Sequence, residues 1–82
     1  MSRLIPLAPI LVMVSDDLPQ SFWWNNRTYQ VFEIVNHWRI DREWWRLRIA
    51  RDYFLVHTTS GLLAVLFRDL LNNEWYLQRL YD

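Results

Sequence analysis

Trp, Tyr and Phe occur in short runs cut by Asn pairs and by the chain's one Gly, a punctuation that confines the chain to strands joined by tight turns. Ser21-Phe22-Trp23-Trp24 and Thr28-Tyr29-Gln30-Val31-Phe32 flank Asn25-Asn26-Arg27, and Asn is the non-glycine residue that best tolerates positive φ. The two runs therefore form a hairpin. The second continues through residues 33–40, but Val31 and Ile34 are three apart, so one face stays apolar only across a bulge or bend of the kind a small barrel uses. Residues 41–46 have no clean period and read as a connection, either a loop or one helical turn begun by Asp41.

Further along, residues 51–58 read as a strand, Thr59-Ser60-Gly61 as a turn and residues 62–68 as the return strand. Residues 62–71 also satisfy a helical spacing, but the turn before them and Asn72-Asn73 after them favour a strand. A last strand covers residues 74–81. The expected fold is all-β, a small strongly twisted antiparallel meander or open barrel of five to six strands. With 82 residues and no Cys, neither a second core nor a disulfide framework is available, so one aromatic core carries the fold. Phe22, Tyr29, Val31, Ile34, Phe54, Val56, Val65, Phe67, Trp75 and Leu77 are its expected members. Trp23 and Trp24 are adjacent, so a strand sends one inward and leaves the other needing a partner.

Residues 1–14 imitate a signal peptide, with Arg3 ahead of an apolar stretch. Pro6 and Pro9 interrupt that stretch, and Ser15-Asp16-Asp17 ends it short of the roughly 20 residues a membrane span needs. The expectation is a cytoplasmic chain with no membrane partner. Residues 1–9 form an extended lead-in with both prolines outside the sheet, and a single β domain over residues 10–82 opens with an edge strand at residues 10–14.

Chemistry-bearing constellations are sparse. His37 and His57 lie in separate strands, there is no metal-ligand spacing, nucleophile motif or phosphate-cradling loop, and Asp16-Asp17 and Asp41-x-Glu43 fit a turn and a solvated loop. No catalytic residue, cofactor or metal is expected. Charge is more informative: nine basic and nine acidic residues cancel, which excludes a generally basic duplex binder, and every basic residue is Arg. Yet residues 37–51 hold five Arg against Asp41 and Glu43, a local net of +3, together with three of the six Trp. Interleaved Arg and Trp can stack on unpaired bases while meeting phosphate. Trp38, Arg39, Trp44, Trp45, Arg46 and Arg48 are therefore the candidate binding residues, for single-stranded nucleic acid or for a protein, since Trp and Arg also dominate protein interfaces. Two bland readings compete: the Trp pair caps the open end of the barrel under Arg guanidinium groups, or the aromatic final strand is an edge that pairs two copies into a homodimer.

Phe22-Trp23, Arg27-x-Tyr29-x-Val31, Trp38-Arg39, Trp44-Trp45-Arg46, Arg51-Asp52-Tyr53-Phe54, Arg68-Asp69-Leu70 and Trp75-Tyr76-Leu77-Gln78-Arg79-Leu80-Tyr81-Asp82 follow one another in this order. The pattern, spanning residues 9–82, resembles a small bacterial domain of unknown function that occurs alone and at the C-terminus of Y-family translesion DNA polymerases. That family usually has Gly in the first hairpin and near Asn72-Asn73, and Asn reaches the same left-handed conformation. The resemblance implies a setting in DNA repair or translesion synthesis, with single-stranded nucleic acid or a DNA-repair protein as partner, and supplies no catalytic residue.

Overall fold

The computed structural model describes residues 2–4 and 7–81. Seven strands follow in order: β1 (Ser2–Leu4), β2 (Pro9–Ser15), β3 (Leu18–Trp24), β4 (Arg27–Trp44), β5 (Leu47–Thr58), β6 (Leu63–Asp69) and β7 (Glu74–Tyr81). Every pairing is antiparallel. The sheet runs β7-β2-β3-β4-β5-β6 and returns to β7, giving a closed six-stranded barrel where the sequence had left a meander or an open barrel.

The turns follow local chemistry. Asp16 and Asp17 between β2 and β3, and Asn25 and Asn26 between β3 and β4, all take positive φ between 53° and 61°. Paired left-handed residues match a two-residue turn to the right-handed twist of the strands. Gly61 and Asn73 supply the left-handed positions of the two later turns, at φ 89° and 62°. In β4 the register slips between Val31 and Glu33 and again between Ile34 and Asn36, the bulges that the spacing of Val31 and Ile34 demanded.

Three expectations need correction. Pro9 is not outside the sheet but is the first residue of β2, opposite Tyr76; a first residue can lack an amide donor without breaking a ladder. Pro6 lies outside the described residues. Residues 41–46 are not a connection: β4 runs unbroken to Trp44 and turns at Trp45-Arg46 into β5. This ribbon was hard to read because it has no buried face to impose apolar alternation; cross-strand pairs such as Glu43–Arg48 and Trp44–Leu47 carry it instead. Finally, β7 is not an edge, since β6 pairs with it throughout while β1 and β2 pair with its successive stretches.

Burial falls into two layers. The barrel interior gathers Phe22, Tyr29, Phe54, Val56, Ala64, Leu66, Trp75, Leu77 and Leu80, with Val31, Ile34 and Trp24 at its margin. A second cluster of Tyr53, Val65 and Phe67, flanked by Trp38, Ile40, Leu55 and Tyr76, covers the opposite face of the same strands. Val65 and Phe67, expected in one core with Phe54, thus belong to an outer layer, and Ala64 and Leu66, alternating with them along β6, belong to the interior. Stacked rings and a cation hold that layer: Trp38 lies on Tyr53 at 5.4 Å, Phe67 on Tyr76 at 5.0 Å, and the Arg51 guanidinium lies 4.5 Å from the Phe67 ring centroid.

Candidate functional site

Pairing lengths create a projecting arm. β3 accompanies β4 only as far as Gln30, and β6 accompanies β5 only from Arg51 onward. The β4–β5 hairpin between these limits continues beyond the barrel wall, with Leu70 N–H donating to Ala50 C=O at 2.8 Å near its base. The molecule is accordingly long in one direction, 41 × 29 × 22 Å.

Trp44 and Trp45 sit at the arm's tip with 76% and 86% of their surface exposed, and Leu47 beside them is 60% exposed. The indole rings are tilted at 43° with centroids 6.4 Å apart. Trp45 is the first turn residue and takes φ 62°, a left-handed conformation that Gly adopts freely and a bulky side chain rarely does. Exposure and backbone strain fall on the same residue, and neither helps the fold. The bland reading in which the Trp pair caps the barrel is excluded by this placement.

Strand alternation divides the other candidates. Trp38, Ile40, Arg42 and Trp44 point to the outer face of β4, where Trp38 is half-buried on Tyr53. Arg39 points to the opposite face, donating from Nε and Nη2 to the two Asp52 oxygens at 2.6 and 2.9 Å. Arg48, also on that face, donates to Asp41 at 3.3 and 3.1 Å. Arg46 in the turn makes no ion pair among the described residues. The six candidates are therefore not one patch: Trp44, Trp45 and Arg46 come together at the tip, while Trp38, Arg39 and Arg48 are engaged along the arm. Leu47, which the sequence did not single out, joins the tip because a two-residue turn sets it opposite Trp44.

Where the arm meets the barrel, Asp17, His37, Arg39, Asp52, Arg68 and Asn73 help line a cavity of about 390 Å³. His37 stacks on Phe54 at 4.3 Å, with its Nε2 3.7 Å from Asp52. The guanidinium of Arg39, donating to Asp52 and then acting through its charge, holds that carboxyl below its ordinary range against the opposing effect of burial. A depressed carboxyl stabilises the fold above its unfolded pKa, about 4, and that contribution is lost as pH falls through the lowered folded value. Asp52→Asn will therefore destabilise the domain at neutral pH by about 1 kcal/mol, the low figure reflecting a largely exposed Arg39. A melting-temperature loss of roughly 4–8 °C follows at neutral pH. The gap between variant and parent will close in acid, as circular-dichroism melts at both pH values will show.

No group of three or more metal-ligating side chains occurs among the described residues, and no helix there is long and apolar enough to cross a membrane. Asp16-Asp17 is a turn. A second exposed apolar surface, Leu11, Met13 and Trp23, lies on the outside of β2 and β3; Trp23 is 44% exposed while Trp24 packs against the interior, the division their adjacency required.

No curated protein and no solved structure matches the chain. One family model does, over residues 6–82, a span that takes in the whole barrel and the projecting arm. The chain belongs to the family described as a domain of unknown function, DUF6504.

Proposed function

We propose that this domain is a non-enzymatic, cytoplasmic binding module that holds single-stranded nucleic acid with the tip of its arm during DNA repair or translesion synthesis. One observation carries the reading: two adjacent Trp, both mostly exposed and one held at positive φ, project from the barrel beside an Arg without an ion pair among the described residues. Indole faces stack on unpaired bases whatever their sequence, and Arg46 meets phosphate. The setting rests on the resemblance of the Trp-Arg and final-strand motifs to the domain appended to Y-family polymerases, where a small β module can hold template.

Titration of intrinsic Trp fluorescence with an unstructured oligonucleotide tests the proposal. Quenching that saturates at low salt and weakens as salt rises is the expected result. Fluorescence unchanged at low salt defeats it. A DNA-repair protein as partner is the second reading, and one observation favours it: Arg39 and Arg48 are already held by Asp52 and Asp41, so two of the arm's Arg residues are engaged within the chain. That reading predicts a complex insensitive to salt.

A further inference from the structure

Closing a barrel abolishes sheet edges, yet β4 of this barrel keeps a long one. Beyond Gln30, β4 has β5 on one side and, among the described residues, no strand on the other as far as Trp44. From Asn36 to Trp44, past the two bulges, its register is regular and the segment contains no Pro; its charged residues, Arg39, Asp41, Arg42 and Glu43, are of both signs and so deter only a partner strand whose charges do not match. The direction of its backbone groups follows from the turn. In a two-residue hairpin the closing pair, Trp44 and Leu47, exchanges both hydrogen bonds, so the even-numbered residues Trp38, Ile40 and Arg42 also face β5. His37, Arg39, Asp41 and Glu43 then direct their N–H and C=O groups outward. His37 agrees: its N–H is bonded by the Asn36 side chain, at 2.9 Å, instead of by the ladder.

We propose that two copies of this chain pair antiparallel through β4 about a two-fold axis at Ile40. Opposed residues must share a face, so such an axis has to pass through a residue. Placed at Ile40, it sets Arg39 opposite the partner's Asp41, His37 opposite the partner's Glu43, and Trp38 opposite the partner's Arg42. Moving the axis by one residue destroys this agreement, because Arg39 or Asp41 then faces its own copy. The side chains are already arranged for the Ile40 register. Asp52 holds Arg39 and Arg48 holds Asp41 on one face, so joining Arg39 to the partner's Asp41 extends each pair into a row of alternating charge. Arg42, which has no ion pair among the described residues, gains the Trp38 ring of the other copy. Zero net charge removes the general repulsion that would oppose association. The dimer does not depend on what the arm tip binds, and it would place the two Trp pairs at opposite ends of the joined ribbons, roughly 27 Å apart for eight residues of strand.

The absence of Cys makes the register directly testable, because Ile40→Cys and Arg42→Cys each introduce a single thiol. Sedimentation of the full chain is expected to give twice its 10.2 kDa mass at high concentration. Ile40 faces its own copy in a non-hydrogen-bonded pair, with Cα atoms about 4.5 Å apart, so mild oxidation with diamide will couple Ile40→Cys into a covalent dimer. Arg42→Cys will stay single under the same conditions. Asp41→Arg, which sets like charges opposite Arg39 of the other copy, will weaken association at least tenfold while keeping the parent circular-dichroism spectrum. A single-chain mass at every concentration, equal coupling of the two Cys variants, or unweakened association of Asp41→Arg overturns the proposal.

Discussion

Phe54→Ala will cost about 3–5 kcal/mol, most of what holds an 82-residue domain together. Phe54 is 2% exposed and reaches the barrel interior from the middle of β5, where His37 stacks on one side of its ring and Trp75 lies with its centroid 5.4 Å away. Truncation removes the transfer energy of a whole ring. It also leaves a void that collapses poorly, because β5 and β7, which carry Phe54 and Trp75, are each paired on both sides. The loss reaches the junction of arm and barrel as well, since the His37 ring beside Asp52 rests on Phe54. Urea denaturation followed by circular dichroism will show the midpoint falling steeply or the variant unfolded in water. Trp38→Ala makes the contrast: Trp38 is only half-buried in the outer layer, so its removal will be tolerated far better.

The double variant Trp44→Ala/Trp45→Gly will weaken binding of single-stranded nucleic acid by roughly 30-fold or more, if each indole contributes even the lower part of the range for one stacked base. Stability will move the other way or not at all. Both side chains are exposed, so little burial is lost, and Gly at position 45 relieves the left-handed strain that Trp carries at φ 62°. A fold-intact variant with lost affinity separates the tip's role in binding from any role in folding. Unchanged affinity in a fold-intact variant would mean that the tip is not the contact surface. Fluorescence anisotropy of a labelled oligonucleotide provides the measurement, because the variant removes two of the six Trp that would otherwise report.

Strands and turns were legible where local chemistry decides them. Asn25-Asn26 and Gly61 adopt left-handed backbone because their side chains allow it, and the spacing of Val31 and Ile34 forced a bulge that alternation alone revealed. Residues 74–81 read as a strand for the same reason, with bulky aromatics and alternating faces. The arm was not legible. Asp41-Arg42-Glu43-Trp44 pairs with residues it meets only through the hairpin, and with both faces largely in water there was no apolar periodicity to find.

The candidate site was legible as composition and not as geometry. A net of +3 with three Trp set residues 37–51 apart, but charge counting could not show that Asp52, from the middle of β5, neutralises Arg39, or that Asp41 does the same for Arg48. The two burial layers were hidden for a related reason. Tyr53-Phe54 and Val65-Leu66-Phe67 are continuous apolar runs, and a run buried on both faces has no period from which to assign sides.

By itself the amino-acid sequence determined an all-β, Cys-free domain with its turns at Asp16-Asp17, Asn25-Asn26, Gly61 and Asn72-Asn73 in place, because turn conformation and strand preference are properties of a few adjacent residues. Closure of the barrel, the sorting of aromatics into inner and outer layers, the surplus length of β4 over its neighbours and the reduction of six candidate residues to a three-residue tip were decided only by tertiary structure. Each depends on which strand stops alongside which, a matter of register between residues far apart in the chain.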